Sequence, residues 1–129
     1  MNFERIEEHE MLRESVRDFF ERELPEKRIR EMDRARRIPR ELWKRFAELG
    51  WMGLAVPVEF GGSGADVMTG AVFCEELARR FPSLATDWLL VSMTARILRE
   101  AGTPAQQAEY LPRVASGDRK STRLNSSHG

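Results

Sequence analysis

"AVPVEFGGSGAD", residues 55–66, decides between two folds. If its glycines cradle a phosphate, a strand should run into them and a nucleotide should sit at the next helix. If they only reverse the chain, the domain is a bundle of helices. A Walker loop needs a lysine followed by serine or threonine after its glycines, and a dinucleotide loop needs a strand leading into G-x-G-x-x-G. Here no lysine follows, Pro57 interrupts the one strand-like run, "GLAVPVEF", and Asp66 would set negative charge beside a phosphate. The glycines therefore read as suppliers of positive φ for a sharp reversal. Asp66 reads as the N-cap of the helix that follows.

Upstream of the loop, Leu12, Val16, Phe19, Phe20 and Leu24 recur at helical spacing, which predicts an amphipathic helix from about residue 6 to residue 24, stopped by Pro25. Residues 26–36 predict a short, highly charged helix with little to bury. Pro39 and Gly50 bracket a third, with Leu42, Phe46 and Leu49 inward. Downstream, Val67, Ala71, Cys74, Ala78 and Phe81 form one stripe of a fourth helix. The fifth, through "LATDWLLVSM" (84–93), carries one formal charge, Asp87, and apolar residues all round. Leu84, Trp88, Val91 and Ala95 make one of its faces, and Ala85, Leu89 and Met93 another. Gly102 ends it, and Thr103, Pro104 and Gln106 open a sixth helix with a capping box. No internal repeat and no sustained alternation of period two interrupts this pattern. The expectation is an all-α fold over residues 1–118, an orthogonal or up-down bundle of about six helices.

Composition narrows function by exclusion. Hydrophobic residues at 41% and charged residues at 33% of a 129-residue chain fit a globular helical domain. Twenty-one basic residues balance 21 acidic ones, which argues against nucleic acid as a partner. No apolar run approaches the length of a membrane span. Glu4, Glu7, Glu8 and Glu10 are wrong for a signal or transit peptide, so a cytoplasmic location is expected, or a compartment reached after a presequence is removed. Cys74 is the single cysteine, which excludes an intramolecular disulfide, and it reads as a small apolar filler. His9 and His128 have no local partners for a triad or a zinc site. No metal is expected.

Two charged features compete for a chemical role. The run "KRIREMDRARR" (27–37) could meet a phosphate or an acidic partner, but reads better as a solvated face laced with ion pairs. Glu75 and Glu76 look like paired carboxylates, yet each has an arginine four residues on, Arg79 and Arg80, in the orientation that favours surface pairs. The fifth helix is the stronger clue. It has more apolar surface than one side of a small bundle can cover, and each large apolar side chain left in water forgoes about 1.5–3 kcal/mol. A second apolar face implies a further domain, a subunit or an apolar ligand against it.

The order of the pieces resembles a known family. "ELGWMGLAVPVEFGGSGAD", "CEELAR", an apolar helix ending "REAGT", and "QQAEYLPRVASGD" together are similar to the N-terminal helical domain of the acyl-CoA dehydrogenases, over residues 6–118. The resemblance implies α,β-dehydrogenation of an acyl-CoA thioester by FAD, with catalytic base and most of the flavin site in a β-domain and a second helical domain absent from this chain. It implies no catalytic residue here, and no flavin held by this chain alone. It further implies a homotetramer or homodimer for the complete enzyme, with an electron-transfer flavoprotein as redox partner. Carried over through "AGT", the acyl-lining positions would be Ala85, Thr86, Leu89, Leu90 and Met93, with Leu89 at the cavity floor. Residues 119–129, "RKSTRLNSSHG", carry one apolar residue and resemble translated adapter sequence, so they are expected to be a non-native or disordered tail on an incomplete frame. Two other readings stay open: a free-standing helical interaction module docking through 84–98, and a fragment of an acyl-CoA oxidase or nitroalkane oxidase.

Overall fold

The computed structural model describes residues 3–118, so the tail expected at 119–129, His128 included, lies outside the described residues. Six α-helices follow one another: α1 (Phe3–Glu23), α2 (Glu26–Ala35), α3 (Arg40–Glu48), α4 (Val67–Arg80), α5 (Pro82–Ala101) and α6 (Pro104–Ala115). One 3-10 turn, Val58–Phe60, lies between α3 and α4, and no strand occurs among the described residues. The all-α expectation holds.

The sequence explains most of the boundaries. Pro25 and Pro39 are the N-caps of α2 and α3. The Asp66 carboxylate accepts the backbone N–H of Thr69 at 2.9 Å, capping α4. Phe81, wholly buried, is the single residue between α4 and α5 and forces a tight reversal. Thr103 and Gln106 form the expected capping box at the start of α6.

α4 is the central element. α1 packs along one side of it and α5 along the other, while α6 packs on α5 and on the 3-10 turn. The α1–α4 pairings advance together along both helices, from Arg5 with Asp66 to Arg17 with Glu76, so these two run the same way. Gly70 meets Trp88 and Cys74 meets Ala85, so α4 and α5 are antiparallel. The core holds an aromatic cluster centred on Phe46, whose ring lies 5.5 Å from Phe19 and 5.2 Å from Trp51. Trp51 passes the contact to Phe73, and Phe73 to Trp88 at 4.7 Å. Such pairs add about 0.5–1.5 kcal/mol each beyond the area they bury.

Three inward assignments need correction. α2 was expected to bury little, but Ile29 and Met32 are both buried, because two apolar residues three apart suffice to seat one short helix. In α3, Leu49 is more than a third exposed and Trp43 is buried instead. Leu49 follows the last helical residue, where the turn into Gly50 swings it outward. In α4 the inward stripe is Val72, Phe73, Glu76 and Leu77, whereas Val67, Ala71 and Ala78 are exposed. Glu76 on the buried face disguised that stripe.

Candidate functional site

The glycine reversal holds no anion cradle. The N–H groups of Gly61, Gly62, Ser63, Gly64 and Ala65 all donate to carbonyls of residues 53–58. Gly61 and Gly64 have positive φ, as expected. Gly62 has a different reason: a Cβ there would lie 2.0 Å from the Val56 carbonyl oxygen. The residues of this loop do not fit a nucleotide phosphate, and no group of the loop can be assigned to FAD.

The remaining chemical candidates are structural. Glu75 is exposed and pairs with Arg79 at 3.0 Å, as foreseen. Glu76 is 2% exposed and does not pair with Arg80. Its carboxylate accepts from Arg13 at 3.0 Å and Arg17 at 3.1 Å, both on α1. Burial pushes the Glu76 carboxyl up, but its arginine partners outweigh that and hold it below the usual carboxylate range. A carboxylate locked in its charged form between two guanidiniums is a clamp between helices, and a poor general acid. Arg80 instead lies over the Phe20 ring, 5.4 Å from its centre. Cys74 is half-buried beneath the Ala85 carbonyl, and burial pushes its thiol up, away from the thiolate a nucleophile needs. In the 27–37 run, Arg30 pairs with Glu26 at 2.9 Å and the cations face solvent. Among the described residues no His, Cys, Asp and Glu cluster could hold a metal, and no helix is long and apolar enough to cross a membrane.

What remains is the outer face of α5. Leu84, Ala85, Trp88, Val91 and Ala95 face inward and are buried. Trp88 fixes the helix's rotation, since its indole N–H donates to the Trp51 carbonyl at 3.0 Å inside the core. That rotation turns Thr86, Leu89, Leu90 and Met93 outward, with Leu89 42%, Leu90 59% and Met93 49% exposed. Four of the five positions expected to line a cavity therefore share the open face. Ala85 does not: it is buried against α4 and lines nothing open. Ile97, 62% exposed, extends the face by one more turn. It lies four residues beyond Met93, so helical spacing alone places it on this face. The Thr86 hydroxyl donates to the Pro82 carbonyl and the Thr94 hydroxyl to the Leu90 carbonyl. Both hydroxyls are thus satisfied within the helix, leaving the turns from Thr86 to Met93 suited to hydrocarbon, with Arg96 and Glu100 further along the same side. Over residues 84–93 the helix carries apolar side chains all round, yet it is buried on one side only.

Comparison with known proteins agrees with this architecture. Residues 6–118 match the family model described as "Acyl-CoA dehydrogenase, N-terminal domain". The probable acyl-CoA dehydrogenase YngJ of Bacillus subtilis is 36% identical over 118 residues, covering 91% of this chain and 31% of its own length. The NADH-dependent acryloyl-CoA reductase of Anaerotignum propionicum is 33% identical over 91% of this chain and 29% of its own. The mitochondrial isovaleryl-CoA dehydrogenase of Pongo abelii is 32% identical over 87% and 27% respectively. The chain thus spans about three-tenths of the length of these relatives. With the match running from the first helix to the last, the chain belongs to the acyl-CoA dehydrogenase family.

Proposed function

We propose that residues 1–118 form the domain that walls the acyl chain in an FAD-dependent acyl-CoA dehydrogenase, an enzyme that removes two hydrogens across the α,β bond of a CoA thioester. The observation that carries the proposal is the open apolar face of α5. Thr86, Leu89, Leu90, Met93 and Ile97 form a hydrocarbon-like wall on a helix whose other side is pinned in the core. A fatty acyl chain laid along it removes apolar surface from water, at about 25 cal/mol per Å². The domain's own part is to bind and orient. On this reading the base and the flavin belong to the segments that make the relatives longer.

The reading takes with it an oligomeric enzyme, a homotetramer or homodimer, in a cytoplasmic setting. An electron-transfer flavoprotein as electron acceptor is supported by one relative, 32% identical, named as the CarC subunit of a caffeyl-CoA reductase-Etf complex in Acetobacterium woodii. Names among the relatives include both dehydrogenases and reductases of CoA thioesters, so the wall fits either direction of the same bond change.

The test grafts residues 6–118 in place of the matched segment of the Bacillus subtilis relative and photolyses the enzyme with acyl-CoAs bearing a diazirine at the far end of the chain. Label on Thr86–Ile97 is expected. An active graft labelled only outside α5 refutes the assignment.

A further inference from the structure

We infer that the N-terminal half of α1, residues 3–11, is an arm latched chiefly by polar contacts, which opens while the rest of the domain stays folded. α1 is not held uniformly. Every side chain from Phe3 to Met11 is exposed except that of His9, which is half-buried. Burial starts further along, with Leu12 partly covered and Val16, Phe19 and Phe20 in the core.

Four residues of α1, spaced four apart, meet α4 in sequence. Arg5 pairs with the Asp66 carboxylate. His9 Nε2 lies 3.1 Å from the Thr69 hydroxyl oxygen, and that hydroxyl donates to Asp66 at 2.8 Å. Arg13 and Arg17 meet Glu76. The four rungs look alike, but only the last two have an apolar floor beside them. The first two land on the opening turn of α4, where the Arg5 and Asp66 side chains are 50% and 33% exposed and open to screening by salt.

Nothing within the arm compensates. A helix of nine residues is too short to persist alone, since isolated helices below about 12–15 residues are marginal in water. Its apolar side chains are only partly covered, with Phe3 and Met11 mostly in solvent and Ile6 45% exposed, so releasing the arm exposes little new apolar surface compared with the core half of α1. Opening therefore releases the partly exposed Arg5–Asp66 ion pair and the His9–Thr69 contact from α4. It uncovers the Asp66–Thr69 turn where the glycine reversal enters α4. The anchored half, from Leu12 on, keeps its core contacts and its clamp on Glu76.

Amide hydrogen exchange on the 129-residue chain tests this, at 0.05 M and 1 M sodium chloride, with Arg5→Gln and Asp66→Ser as variants. Serine keeps an N-cap oxygen for α4 and removes only the charge facing Arg5. Amides 8–11 are expected to exchange on the order of 100-fold faster than amides 17–22. High salt or either substitution should speed amides 8–11 a further ~3- to 10-fold and leave 17–22 unchanged. Equal protection along α1, or salt and substitution effects that move both halves together, would overturn the arm. Fast exchange at 8–11 that ignores salt and both substitutions would overturn the latch.

Discussion

Glu76 shows at the scale of one residue how charge is used in this domain. Buried and gripped by Arg13 and Arg17, it joins α1 to α4 where an apolar residue would otherwise sit. Glu76→Gln should cost about 1–3 kcal/mol in urea unfolding at pH 7; the arginines keep 21% and 52% of their exposure, which limits the penalty for leaving them unmatched. The effect should shrink with acid. Glu23 is held down by its hydrogen bond from Arg45, Asp66 by the Thr69 N–H and hydroxyl, and Glu75 by Arg79. Glu76, pushed up by burial, is brought below its ordinary value by Arg13 and Arg17. A folded value below the unfolded one means stability that is complete above the ordinary carboxylate range, around pH 4–4.5, and is lost as pH falls through the depressed values. The urea midpoint of the native chain should therefore drop steeply below about pH 4, and that of Glu76→Gln less so. Gly62 gives a second test by contrast. Gly62→Ala forces a Cβ against the Val56 and Gly53 carbonyls and should cost about 3 kcal/mol or more. Gly50→Ala, at positive φ with open space around it, should cost about 1–2 kcal/mol, both read by thermal unfolding.

At the scale of elements, helix ends were legible and inward faces less so. Asp66, Thr103, Gln106 and Gly102 act within their own few residues, so the sequence names them directly. Thr103→Ala should lower stability by about 1 kcal/mol through loss of the cap on α6, measured by chemical denaturation. Gln107 escaped notice because its work is done on another helix: its amide donates to the carbonyls of Leu98 and Arg99, closing the C-terminal end of α5. The inward stripe of α4 was misread for the same reason. What makes Glu76 an inward residue is a pair of arginines about 60 positions earlier, and no local pattern reports that. On α5 the spacing grouped Leu84, Trp88, Val91 and Ala95 on one face, and that face is the buried one. The outward position of Thr86, Leu89, Leu90 and Met93 follows from Trp88 reaching the Trp51 carbonyl, and Ala85 fell on the wrong side because it follows Leu84 into the gap against α4.

At the scale of the molecule, a well-packed core sits beside one uncovered apolar wall. Contiguous exposed apolar surface promotes association. The isolated chain should self-associate with concentration in light scattering, and Leu89→Gln with Met93→Gln should shift it toward monomer without lowering its melting temperature, since both side chains already face solvent. The central claim is that this wall measures an acyl chain, and the direct test is the chain-length profile of kcat/KM for the grafted enzyme with Met93→Trp. Filling the wall should lower kcat/KM for long acyl-CoAs by about 10-fold or more while short ones are little changed, since one misfitted methylene is worth about 1–3 kcal/mol. A uniform loss at every length, or no change at any, would contradict the account.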